Sequence, residues 1–355
     1  MHPAIPRRLA VGIALAAALV VAGIPASAAV DNAYTVHPLV ADVSGEAQTT
    51  DTNLVNAWGL AAGPTTPWWV VDNETDKSTV YSTLGAPALL TVDVAGGPTG
   101  IVFHNATTDP SNFLLPVGGA ARFIFAGEDG VLSGWNPGGG GTAQVPTQDS
   151  VADASYKGLA IGQTASGPRL YAADFHNAKV NVFDGSWHLV ASQGFTDPGL
   201  PEGYAPFGIQ TIGSKVFVAY AKKDEEEEDE EAAGQGLGFV DAYDTSGNLL
   251  GRVAQHGQLN APWGIALAPA SFGRFGGDLL VGNFGDGQIN AYRQVGGGFE
   301  HAGELRGADG RSLAIDGLWA LEFGNDSAAG SSDTLFFTAG PDEETHGLFG
   351  SITPG

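Results

Sequence analysis

The sequence predicts an all-β protein, a six-bladed β-propeller of four-stranded antiparallel blades, and three observations carry that prediction. A glycine followed by an aliphatic residue opens a short apolar strand six times along the chain. Each opening leads to a second apolar strand, rich in β-branched and aromatic residues and too short for a helix. The 355 residues include 53 glycines and 20 prolines, the turn content of many short strands. Units of ~40 to 60 residues match propeller arrays, and radial sheets leave only short, protected edges.

The openings are Trp58-Gly59-Leu60, Thr99-Gly100-Ile101, Lys157-Gly158-Leu159, Phe207-Gly208-Ile209, Trp263-Gly264-Ile265 and Asp316-Gly317-Leu318. The second strands centre on Trp68 to Val71, Arg122 to Phe125, Arg169 to Ala172, Val216 to Ala219, Leu279 to Gly282 and Leu335 to Thr338. Third strands follow each polar bend, as at Val180 to Phe183 and Ile289 to Tyr292, and a fourth is legible at Leu249 to Val253. The sixth unit runs out at Ile352 with no sequence left for its fourth strand. The orphan strand Tyr34 to Val43 is expected to supply it and close the ring.

Residues 1–28 read as a signal peptide: Arg7 and Arg8 precede an apolar segment from Leu9 to Ile24, and Ala26-Ser27-Ala28 is a small-residue cleavage site. The mature domain, 29–355, is therefore expected to be secreted or periplasmic, by a general or a twin-arginine route. There is no cysteine, which excludes disulfides and thiolate chemistry. A formal charge of -24 repels phosphate backbones and anionic headgroups. Nucleic acid and membrane insertion after cleavage are disfavoured, and the expected partner of this monomer is a small molecule, a glycan or a protein.

Asn56-Ala57-Trp58-Gly59-Leu60-Ala61, Leu279 to Gly287 and His346-Gly347-Leu348-Phe349-Gly350 resemble a family of exported bacterial proteins of unassigned function. The likeness runs from about Tyr34 to Ile352. It implies a propeller, similar in layout to six-bladed NHL and TolB proteins, and supplies no catalytic residues. The chain departs from that family in an acidic run, Asp224 to Glu231, within a loop insert over 222–233. Like charges that close together repel, so the run is expected to stay extended and solvated.

In this strand order the bends between second and third strands gather with the entries to the first strands around one end of the channel. They read Asp72-Asn73-Glu74, Glu128-Asp129, Asp174 to Asn177, Lys222 to Glu231, Asn283 to Asp286 and Pro341 to Glu344, and all six carry a carboxylate. Turn chemistry explains any single bend, because Asp, Asn and Gly bond the local backbone. Six on one rim make an electronegative mouth that would attract a ligand, a partner or a hard cation. Its expected contacts are Asn56, Trp58, Asp72, Asn73, Asp174 and His176 from the first half of the chain. Asn260, Trp263, Asn283, Asp286, Asp316 and Asp342 come from the second. Calcium is the cofactor such oxygens suit, with Asn56, Asn260 and Asp316 nearest the axis.

Trp58, Trp263 and Trp319 sit at equivalent openings, where burial between blades explains them and carbohydrate stacking is the functional alternative. His104, His176 and His346 lack ligand spacing, and Gly130-Val131-Leu132-Ser133-Gly134 is not a nucleophile elbow. The expected function is an exported binding or scaffold propeller. The alternative is a metal-dependent hydrolase or lactonase at the same mouth, by analogy with six-bladed gluconolactonase-type enzymes. A quinone dehydrogenase would need a basic pocket, and no cluster of Arg and Lys offers one.

Overall fold

The computed structural model describes residues 1, 31–191 and 194–355. The expected signal segment, Met1 apart, lies outside the described residues. From residue 31 onward the described chain is a six-bladed propeller of small antiparallel sheets. Blade one runs Ala57–Ala61, Trp68–Asp72, Lys77–Tyr81, Pro87–Asp93. Blade four runs Tyr204–Ile212, Lys215–Lys223, Gly238–Asp244, Leu249–Gln255, and blade five Pro262–Leu267, Leu279–Asn283, Ile289–Val295, Gly298–Glu304.

Blades two and three depart from the four-strand expectation. Blade two has Pro98–Phe103, Phe123–Gly127 and Leu132–Trp135, and its outer edge shrinks to a bridge between Gly134 and Gln144. The intervening Pro137 to Gly141 run cannot sustain a ladder, lacking side chains to pack and, at proline, a donor. Blade three has Tyr156–Thr164, Gly167–Asp174 and Lys179–Asp184, with a bridge from Phe183 to Leu189 beyond a tight turn.

The sixth blade joins Leu318–Phe323, Leu335–Ala339 and Leu348–Pro354 to Tyr34–Ala41, the first strand of the domain. Tyr34 pairs with Pro354, Val36 with Ile352 and Ala41 with Leu348, antiparallel, so the N-terminal strand closes the ring as the sequence predicts. Nearby, His346 Nδ1 lies 2.8 Å from Asp42 Oδ2 and Gly347 N donates to Asp42 Oδ1 at 2.9 Å.

The opening glycines have a physical cause. A Cβ on Gly59 would stand 2.5 Å from the Thr99 carbonyl, one on Gly264 2.5 Å from the Trp319 carbonyl. Innermost strands of adjacent blades therefore touch backbone to backbone around the axis. This register corrects the sixth opening: Trp319-Ala320-Leu321 aligns with Trp263-Gly264-Ile265, and the glycine slot holds Ala320. Gly317, at φ 62°, instead takes the left-handed entry position that Asn56 (φ 48°) and Ala261 (φ 44°) occupy. Aromatic rings fill the wedges between blades, such as Trp69 against Phe123 at 4.1 Å and Trp68 against Phe336 at 5.0 Å.

Candidate functional site

The residue before each glycine slot forms a layer across the channel: Trp58, Thr99, Lys157, Phe207, Trp263 and Trp319. Trp319 lies between Trp58 and Phe284, with ring centroids 3.7 and 4.1 Å apart. Its indole N–H donates to Asn56 Oδ1 at 2.9 Å, and Trp263 reaches across the axis to donate to the Lys157 carbonyl at 2.7 Å. Trp58 and Trp319 are buried and Trp263 half-buried, so these rings plug the channel.

Lys157 is the charged member of this layer, and its side chain is 1% exposed. Its Nζ lies 2.6 Å from Glu128 Oε1, 3.3 Å from Glu230 Oε1 and 5.4 Å from the Trp58 ring centre. Glu128 Oε2 accepts from Asn73 Nδ2 at 2.9 Å, and Asn56 Nδ2 donates to Glu344 Oε2 at 2.6 Å and Asn73 Oδ1 at 3.3 Å. Side chains from blades one, two, three, four and six thus meet at one mouth.

The electrostatics follow from one cation among four carboxyls. Burial would push the Lys157 ammonium down, but Glu128 and then Glu230 outweigh it and hold it above its ordinary value. Burial raises Glu231 to about 8, with Lys157 offsetting part, and Glu344 to about 7, with the Asn56 bond offsetting part. Glu231 Oε2 is shielded from solvent and has no hydrogen-bond partner among the described residues.

Two backbone features build this cluster. Asp342, Glu343 and Glu344 have φ of 54°, 54° and 66°, three consecutive non-glycine residues in the left-handed region. Each such residue costs ~1–2 kcal/mol, and the turn ends with the Glu344 carboxyl on Asn56. A Cβ at Gly340 would collide with Asn56 Oδ1, so that glycine admits the asparagine.

The acidic run folds differently from the extended expectation. Lys223 pairs with Glu231 in a short ladder, Asp224 N donates to the Glu230 carbonyl at 2.8 Å, and His176 Nδ1 lies 2.8 Å from Asp229 Oδ1. Glu225 to Asp229 are exposed, as repulsion requires, while Glu230 and Glu231 turn in over the mouth. Lys157 is the physical reason: a buried cation attracts the carboxylates that would otherwise repel one another.

Several expected contacts lie elsewhere. Asp72, Asp174 and Asn283 are fully buried beneath their bends. Asp174 accepts from Asn177 N at 3.1 Å and Asn181 Nδ2 at 2.6 Å, and Asn283 donates to the Gln258 carbonyl at 2.7 Å and Asp286 Oδ1 at 3.1 Å. Asp72 accepts from the Thr79 hydroxyl at 3.3 Å, and burial raises its carboxyl well above the usual range. Asn260 Oδ1 accepts from Gly234 N at 2.6 Å, and Asp316 Oδ2, exposed, accepts from Asp342 N at 3.0 Å. Among the described residues, Asn56, Trp58 and Asn73 of the expected set touch the Lys157 cluster with their side chains, and Trp263 bonds the Lys157 backbone. Among the described residues, no group of three or more His, Cys, Asp or Glu is disposed to hold a metal ion.

No family model matches the chain. "Uncharacterized protein R648" of Acanthamoeba polyphaga mimivirus is 31% identical over 343 residues, covering 90% of this chain and 80% of that protein. A structural genomics protein of unknown function from Bacteroides thetaiotaomicron has a similar fold, with TM-score 0.57 and 10% identity over 90% of this chain and 76% of its own. The soluble aldose sugar dehydrogenase from Escherichia coli, in its apo form, matches with TM-score 0.53 and 11% identity over 91% and 100%. At these identities the two structures share the fold alone.

Proposed function

We propose, for a chain that belongs to the family of that mimivirus protein, an exported binding propeller whose mouth captures the ammonium group of a small or tethered ligand. The observation that carries this reading is the half-buried Glu231 side chain beside Lys157, whose Oε2 is shielded from solvent and unpartnered among the described residues. Lys157 faces Glu128 and Glu230 and cannot also neutralise Glu231 and Glu344. An arriving ammonium supplies three donors and one positive charge, which suits those two carboxyls. The Trp58 ring, which already faces the Lys157 ammonium at 5.4 Å, is the kind of surface a cation favours.

Strained backbone at Asp342 to Glu344 supports a binding role, because such conformations cluster at ligand clamps. Glu230, 47% exposed, lies at the rim and would swing out with its hairpin to admit the ligand. The hydrolase reading would draw on Asn56, Asn260 and Asp316, whose Oδ1, Oδ1 and Oδ2 atoms already accept from Trp319, Gly234 and Asp342. Export rests on the segment over 1–28 and is tested by N-terminal sequencing of the secreted product.

Calorimetric titration of the mature protein with 1,4-diaminobutane, repeated in two buffers of different ionisation enthalpy, tests the function. Saturable binding with proton release supports it. A flat titration at millimolar ligand contradicts it, and tight binding of calcium with none of the diamine would move the reading to a metal site.

A further inference from the structure

A second cavity lies in the channel, with Trp263 and Gly59 of the aromatic and glycine layers at its upper end. Its wall is a complete ring of aliphatic side chains, one from each first strand in the position after the glycine slot: Leu60, Ile101, Leu159, Ile209, Ile265 and Leu321. The next position is Ala61, Val102, Ala160 and Ala266 in four blades, all buried. In blades four and six it is Gln210 and Glu322, and both line the same cavity. Two polar side chains thus interrupt the ring of apolar ones that lines this cavity.

Glu322 has no partner among the described residues. It is packed deep among protein atoms yet keeps part of its surface on the cavity, and burial alone raises its carboxyl to about 8. An isolated ionised carboxylate in such surroundings is costly, so it stays protonated or takes a cation. The cavity measures about 30 Å³, room for one or two water-sized guests and too little for a metabolite. A divalent ion would keep its second charge uncompensated beside a single carboxylate in an aliphatic ring, which is costly.

We propose that Glu322 and Gln210 form a monovalent cation site in the channel, independent of the mouth, for an ion of water's size such as potassium or ammonium. The Glu322 carboxylate supplies the charge and the Gln210 carbonyl a further oxygen. The aliphatic ring excludes larger hydrated ions. Binding exchanges the Glu322 proton for the cation, so affinity rises by about tenfold per pH unit while the carboxyl is protonated.

The test is the thermal midpoint of the mature protein at pH 6 and pH 9, in potassium, ammonium or tetramethylammonium chloride at equal ionic strength. The site predicts that potassium or ammonium raises the midpoint above tetramethylammonium at pH 9, and by less at pH 6. Glu322→Gln should abolish the potassium difference and Glu231→Gln should keep it. If potassium and tetramethylammonium act alike at pH 9, or the potassium difference survives Glu322→Gln, the cavity holds water only and the proposal fails. Should Glu322→Gln not fold, Gln210→Leu carries the same test, and an unchanged potassium response in it overturns the site. The ammonium arm reads the mouth as well, so the potassium arm carries the test.

Discussion

Lys157 Nζ lies 2.6 Å from Glu128 Oε1, a cation of blade three meeting an anion of blade two in a layer whose other large members are aromatic. Removing one partner of a buried pair leaves the other uncompensated. Lys157→Met should therefore destabilise the domain by about 3 kcal/mol at pH 8, toward the lower end because Glu128 is 32% exposed. At pH 5 the loss should shrink, since Glu231 and Glu344 are then protonated. Urea unfolding at both pH values checks this, and an equal loss at each would contradict it.

Stability should fall as pH rises. Glu231 and Glu344 hold their protons to about 8 and about 7 in the folded chain, against an ordinary 4.5. A raised carboxyl pKa means the folded state binds more protons between those limits, so these groups stabilise it below about 4.5 and destabilise it progressively up to about 8. The thermal midpoint should decline from pH 5 to pH 9, and Glu231→Gln should flatten that decline.

Closure by Tyr34–Ala41 is pairing along the whole length of Leu348–Pro354. Deleting residues 29–43 should lower the thermal midpoint and expose an edge strand prone to association. Light scattering and a melting curve read both effects, and an unchanged midpoint would refute the closure.

Gly264 is required by the approach of the Trp319 backbone. Gly264→Ala should cost about 2–3 kcal/mol through overpacking, whereas Ala320→Gly, at the equivalent slot of blade six, should cost about 1 kcal/mol or less. Equal costs would argue against the glycine register.

The fold was legible because the repeat is written in backbone needs. Glycine is required where strands touch, and apolar alternation follows where blades stack. The orphan strand at Tyr34 was legible by subtraction, since the last unit lacked a partner. The site was less so. Asp72, Asp174 and Asn283 belong to turn chemistry, which uses the same residue types as ligand binding. Lys157 carried a signal, being the lysine among Trp58, Phe207 and Trp263 at one repeat position. A count of carboxylates alone passes over it, and with it the inward fold of Glu230 and Glu231. Glu344 depends on a left-handed turn that no local propensity announces.

The most direct measurement is the pH dependence of diamine affinity in the native protein and in Glu231→Gln. The proposed mouth predicts affinity that strengthens from pH 6 to pH 8 as Glu231 and Glu344 give up their protons, and a weaker, flatter profile in the variant. Affinity independent of pH, or unchanged in Glu231→Gln, would contradict it.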